Sequence, residues 1–288
     1  MISMHYDAGA YSAAFAIRKN KPFLNTSIER LSTGYRINQP SDGIADYIQS
    51  VNFQNTLRGY EEVGRDIAKA EQFMNQVEDS QEEIVTLLTT MSDLAEQAMD
   101  AGLTDLQRAE LDLQFVDARD EIDRIVSQTR FNGSLFLDGT YGGGSPLVIQ
   151  TGTGPTDTLD IVIENHDSAT LGIGALTVAG PGTANATTAF NTINTAATGG
   201  TAVGTGFDVL NDRLANSAGT RSRLTSAKNI ADSVQQNTIA MISVIRDIDV
   251  ATEAINYTRH SLIQQTGLSM LSQSNISQQG ILALFNFK

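Results

Sequence analysis

Between Val63 and Ala98 the core-type residues recur in alternating steps of four and three: Val63, Ile67, Ala70, Met74, Val77, Gln81, Ile84, Leu88, Met91, Ala95 and Ala98, with Gln81 the one polar member. That alternation averages about 3.5 residues per repeat, the seam of a helix packed lengthwise on other helices. A strand would need a period of two. Proline is absent between Ser41 and Ser145 and again after Gly182, so neither stretch carries a residue that would break a helix. In the second stretch Leu224, Ala227, Ala231, Val234, Thr238, Met241, Ile245, Ile248, Thr252 and Ile255 step three and four in the same way, which predicts one helix from about Phe207 into the C-terminal segment. Gly102 marks a stop after the first helix. Thr104, with Gln107 three residues on, predicts a capping box for another helix carrying Leu111, Phe115, Ala118, Ile122 and Ile125. The expected fold class is mainly α: a long coiled-coil bundle formed by the N- and C-terminal segments, with a small β-hairpin region from the middle.

Charge is distributed unevenly. The chain of 288 residues carries a net charge of −14. Between Glu61 and Arg124 there are 18 acidic and 5 basic side chains, a net of −13. Glu61, Glu62, Glu78, Asp79, Glu82 and Glu83 fall off the seam, so they read as a solvated helix face. No basic stripe is present, which argues against nucleic acid as a partner. Both ends are nearly bare of charge: none stands from Leu262 to Phe287, and from Met1 to Ile17 the one acidic residue is Asp7. Such ends are soluble when they bury each other or other copies. No apolar run approaches the ~20 residues of a bilayer span, so membrane insertion is not expected. The apolar stretch Ala8–Ile17 precedes Arg18, Lys19 and Lys21, the reverse of a cleaved secretory signal. Cysteine is absent.

The middle has a different composition. Residues 131 to 212 hold no Lys or Arg, and Gly, Thr and Ala dominate. Phe131-Asn132-Gly133 predicts a tight turn. Leu147-Val148-Ile149 and the alternating Leu159, Ile161, Ile163 predict short strands. Residues 179 to 206 read as surface loops with one helical piece near Thr188–Thr195.

Catalytic chemistry finds no foothold. The three histidines, His5, His166 and His260, show no metal-ligand spacing, and His260 reads as a polar-face residue. Gly142-Gly143-Gly144 lacks the GK[ST] that a phosphate loop requires. No cofactor and no catalytic residue are expected.

Four segments, in order along the chain, carry a resemblance. Leu31-Ser32-Thr33-Gly34-Tyr35-Arg36-Ile37-Asn38, followed by Asp42 and Ala45, resembles the "LSSGxRIN…D…A" signature of bacterial flagellin. Glu121-Ile122-Asp123-Arg124-Ile125, then Thr129 and Phe131-Asn132-Gly133, is similar to "EIDRI…TxFNG". Ile245-Arg246-Asp247-Ile248-Asp249, with Ala251 and Glu253, resembles "IRDxDxAxE". Gln265 to Asn275 is similar to "QAGxAMLAQAN". The family motif residues are thus Gly34, Arg36, Asn38, Asp42, Asn132, Gly133, Arg246, Asp247 and Asp249. Gln278 stands where the family's closing pattern usually has Pro.

The resemblance implies a structural subunit, not an enzyme, that polymerises into the helical flagellar filament. The hook–filament junction protein is the nearest alternative. It also implies export without a cleaved signal through the flagellar type III apparatus, a chaperone on the C-terminal helix, contact with cap and hook-associated proteins, and an extracellular location. The expected division is an inner coiled-coil domain from 1–45 and 250–288, an outer helical bundle with β-hairpins from 46–178 and 205–249, and a short variable surface insertion at 179–204. The expected assembly interface is Leu24, Ile28, Leu31, Leu262, Leu268, Leu271, Leu282, Leu284 and Phe285, with those ends disordered in an isolated monomer. The expected bundle seam is Val63, Ile67, Met74, Val77, Ile84, Leu88, Met91, Val234, Met241, Ile245 and Ile248. At the segment that resembles the innate-receptor patch of the family, Thr90 and Ser92 stand where arginines are typical, which predicts weak receptor activation.

Overall fold

The computed structural model describes residues 8–194 and 206–285; the side chains of Ala8, Gln278 and residues 280–285 lie outside that description. Among the described residues the helices are α1 (Ala8–Thr33), α2 (Ile44–Ala98), α3 (Asp105–Gln128), α4 (Ala184–Asn194), α5 (Gly206–Arg246) and α6 (Val250–Phe285). The strands are β1 (Arg130–Phe131), β2 (Ser134–Leu135), β3 (Leu147–Gln150) and β4 (Thr158–Ile161). They form two antiparallel pairs, β1 with β2 and β3 with β4. The chain divides into two compact units, residues 58–235 and residues 1–57 with 236–288.

In the unit 58–235 the four-three stripe of α2 is buried from Val63 to Ala98, Gln81 included. Phe115, Ala118, Ile122 and Val126 of α3 and Leu210, Leu224 and Ala231 of α5 belong to the same core. Thr104 caps α3, accepting from the Gln107 amide while the Gln107 side chain accepts from the Thr104 amide. Phe73 lies 4.8 Å from Phe131 and 5.2 Å from Phe136 between ring centroids, tying the first hairpin to α2. That hairpin turns on Asn132 (φ 49°) and Gly133 (φ 85°), both left-handed as a type I′ turn requires. At the β3–β4 turn, a Cβ on Gly152 or Gly154 would fall 2.7 Å from Asp157. The Asp157 carboxylate instead accepts from the Gly154 amide.

The middle supplies core as well as surface. Leu159, Ile161, Ile163, Leu171, Ile173 and Val178 are buried. Within the span read as a surface insertion, α4 buries Ala186, Ala189 and Ile193, because its apolar residues at that spacing share one face. Thr195, placed in the helical piece by the sequence, lies outside the described residues. The acidic face also differs from a purely solvated one: Glu78 pairs with Arg221, and Glu71 accepts from Lys228 of α5 at 2.9 Å.

In the other unit α1 and α6 are helical, as read from the sequence, and pair with each other. The pairing is partly polar, which apolar counting overlooks. Asn20 Nδ2 donates to the His260 carbonyl at 2.6 Å, and His260 Nδ1 meets Asn20 Oδ1 at 2.7 Å. The Phe23 ring stacks on His260, so this histidine is half-buried instead of lying on an open polar face. A Cβ on Gly267 would sit 2.7 Å from Ile17 Cγ1, a close approach that glycine permits. α1 runs through Pro22, whose position is exposed.

Candidate assembly surface

The single helix expected from Phe207 into the C-terminal segment is broken at Asp247–Asp249. The physical reason is capping. Asp249 accepts from the amides of Ala251 and Thr252 at 3.0 and 3.3 Å and from the Thr252 hydroxyl at 2.7 Å, the work of an N-cap. The Thr252 hydroxyl first, then the Thr252 and Ala251 amides, hold the Asp249 carboxyl below the usual carboxylate range. Asp247 Oδ2 accepts from the Ser243 hydroxyl at 2.5 Å.

Into this break fits the N-terminal motif. Gly34 closes α1 in a left-handed conformation (φ 75°), its amide donating to the Arg30 carbonyl at 2.8 Å. Tyr35 then pairs antiparallel with Asp247. The Arg36 amide donates to the Arg246 carbonyl at 2.6 Å, and the Ile248 amide donates to the Gly34 carbonyl at 3.1 Å. The Arg36 guanidinium donates to the Ile245 carbonyl at 2.7 Å, placing a cation at the C-terminal dipole of α5, and to Asp46 at 3.2 Å. Arg246 stacks over the Tyr35 ring at 4.2 Å. Asp42 accepts from the amides of Asn38 and Gln39, both at 3.0 Å, and the Asn38 side chain donates to the Tyr35 carbonyl at 3.2 Å. The two sequence motifs therefore form one latch. Tyr35, Asp46 and Ser243 belong to it and were missed from the sequence; an aromatic between Gly34 and Arg36 was the available signal for Tyr35.

Around the latch the unit is apolar on its outside. Ile28, Leu262 and Leu268 are exposed, and Leu24, Leu31 and Leu271 are half-buried. The side chains of Leu282, Leu284 and Phe285 lie outside the described residues. Met241 is exposed, Val234, Ile245 and Ile248 are half-buried, and the other seam residues, on α2, are buried. The buried polar groups include Asn20, Ser27, Ser50, Thr238 and Glu253; Glu253 lies 3.9 Å from Arg30. Among the described residues no cluster of three His, Cys, Asp or Glu side chains is placed to hold a metal ion.

A second polar cluster lies in the unit 58–235. His166 Nδ1 donates to the Glu164 carbonyl at 2.7 Å, and its Nε2 meets Gln81 Nε2 at 2.9 Å. Burial, then the charge of Arg213, pushes the His166 imidazole down to about 4, so it is neutral at pH 7.

The comparisons with known proteins agree with the motifs. Residues 6–142 match the bacterial flagellin N-terminal helical region, and residues 214–285 match the C-terminal helical region. The chain belongs to the bacterial flagellin family. It is 27% identical to a flagellin of Bacillus subtilis, over 98% of this chain and 99% of that one. It is 25% identical to a flagellar filament core protein of Treponema maltophilum, over 93% and 94% of the two chains. A crystal structure of Bacillus cereus flagellin shares 24% identity over 60% of this chain and 88% of that chain, with a TM-score of 0.42. Membership makes this chain a structural subunit of the helical flagellar filament, not an enzyme. Homologues form a filament that is extracellular. Among the described residues no helix is long and apolar enough to cross a membrane.

Proposed function

We propose that α1 and α6 form the inner contact layer of the filament, and that the latch fixes their register for neighbouring copies. The exposed apolar run of α6, with Ile255, Leu262, Leu268 and Met270, supports this most directly. It is the surface a polymer would bury, at about 25 cal/mol per Å² of apolar area. Leu24, Ile28, Leu31 and Leu271 complete the described part of that layer; Leu282, Leu284 and Phe285 extend it on sequence grounds. Such contacts between copies are heterologous and generate an open helix.

The remaining partners follow from the family resemblance: the flagellar type III export apparatus, a chaperone on the C-terminal segment, and cap and hook-associated proteins. Secretion to the extracellular filament goes with them. At the receptor-like segment Ser92 is buried and accepts from Asn194 at 2.6 Å, so it offers no projecting cation to a receptor.

Deletion of residues 262–288 tests the interface. The expected product is soluble, keeps the 58–235 unit folded and fails to elongate from seeds under the electron microscope. Normal filaments from that truncation overturn the assignment. A full-length chain that caps seeds but never extends them shifts the reading to a junction protein.

A further inference from the structure

The unit 58–235 contains a cleft of about 440 Å³ lined by Asp160, Glu164, His166, Arg213 and Arg223, with Gln81 of α2 among its walls. Neutral His166 determines what this cleft presents. Its Nδ1–H donates to the Glu164 carbonyl, so Nε2 is bare and must accept from the Gln81 amide nitrogen. Turning the Gln81 amide over would set its oxygen against an unprotonated nitrogen. Gln81 Oε1 therefore faces away from His166, and it is buried with no donor. Arg213 is only 5% exposed, and its Nε and Nη1 are buried with no acceptor. Glu164 forms an ion pair with Nε at 3.7 Å, longer than a hydrogen bond, through a side chain that is 61% exposed, and Asp167 adds a more distant negative charge. A buried guanidinium with open donors costs free energy until an acceptor arrives.

Water can fill such a cleft, but an anion matches it better. Guanidinium–carboxylate hydrogen bonds are charge-assisted and roughly twice as strong as neutral ones. The chain supplies the anion in excess, with 33 acidic residues against 19 basic. We propose that the Arg213 cleft binds a carboxylate, with Arg213 as its anchor. The carboxylate comes either from an acidic side chain of a neighbouring copy in the filament or from a small free acid. The neighbouring-copy source rests on the filament reading.

Two assays on the full-length chain test the proposal. In the first, sodium acetate is titrated into soluble chain against sodium chloride of equal ionic strength, while the Arg213 Nε–H and His166 ring resonances are followed. Saturable shifts are expected from acetate alone. Arg213→Gln abolishes them, and Glu164→Gln, which removes the internal competitor, strengthens them. In the second, seeded elongation is measured for wild type, Arg213→Gln and Arg213→Lys. If a neighbouring copy supplies the group, Arg213→Gln raises the critical concentration roughly tenfold while the soluble chain melts no lower than wild type.

A response in either assay supports the site and identifies the source. No saturable acetate shift together with unchanged elongation overturns it and leaves water as the occupant. It is also overturned if Arg213→Gln lowers melting and elongation together without any acetate response, because Arg213 is then only a packing element. Wild-type elongation in the same run separates either failure from a failure of the filament reading.

Discussion

Ile84 on α2 and Leu262 on α6 are both large aliphatic residues in long helices, yet Ile84 is fully buried and Leu262 is 54% exposed. The difference runs through the molecule. Among the described residues every buried apolar side chain except Ala13 and Ile37 belongs to the unit 58–235. Of the large apolar side chains left exposed, only Leu106, Leu113, Val148, Val162 and Ile230 belong to that unit. One part of the chain closes an apolar core of its own; the other buries few apolar side chains and leaves most of its large ones exposed. One sequence thus encodes both a unit with a closed apolar core and a unit whose large apolar side chains stay exposed, the surface proposed above for contact between copies.

Paired substitutions break or sharpen that contrast. Phe73→Ala should cost about 3–5 kcal/mol in denaturant unfolding, since it empties a ring site shared with Phe131, Phe136 and Tyr141. Leu262→Ala should change the stability of the soluble chain by under about 0.5 kcal/mol and still slow elongation. A large loss of soluble stability at Leu262 would erase the distinction between the units.

Acid should act on the closed unit through His166. Its folded pKa of about 4 lies below the ordinary value of 6.5, so the unfolded chain binds the proton more readily. Stability from the neutral ring is complete above about pH 6.5 and falls, by on the order of 3 kcal/mol, as pH drops toward 4. Melting curves of His166→Gln should be flatter across that window.

At the latch, Gly34→Ala places a Cβ on a left-handed residue, at a cost of about 1–2 kcal/mol. Faster hydrogen exchange is expected at the Arg36 and Ile248 amides, with the α2 seam unchanged. Thr104→Ala removes one half of the capping box and should cost ~1 kcal/mol, confined to the closed unit.

The α2 helix was legible because its core residues recur in steps of four and three, with Gln81 the one polar member and no proline along it. The α5–α6 break was not, because the same stepping continues through Ile245, Ile248 and Thr252. The only signals there were Asp247 and Asp249, with Thr252 placed to complete a cap. Leu159, Ile161 and Ile163 announced a strand by alternation, whereas Leu171, Ile173 and Val178 are buried from loops that have no period to read. Of the latch residues, Gly34, Arg36, Asn38, Asp42, Arg246, Asp247 and Asp249 stood out by family resemblance alone, and Asp46 and Ser243 did not stand out at all. That Tyr35 meets Asp247 is a tertiary fact, as are the open donors of Arg213.

The bridge between Tyr35 and Asp247 also bears on the route by which the chain folds. Closing it in an unfolded chain ties off a loop of ~210 residues, whereas after the closed unit has formed, only ~37 residues remain free, a saving of about 1.5 kcal/mol. The reason is that Gln235 already donates to the Tyr60 carbonyl within that unit, at 3.0 Å. Loop-closure entropy therefore favours a route in which the middle of the chain folds before the bridge closes. The latch should then be the last link to close, and pulsed hydrogen exchange at the Arg36 and Ile248 amides, timed against the α2 seam, checks that order.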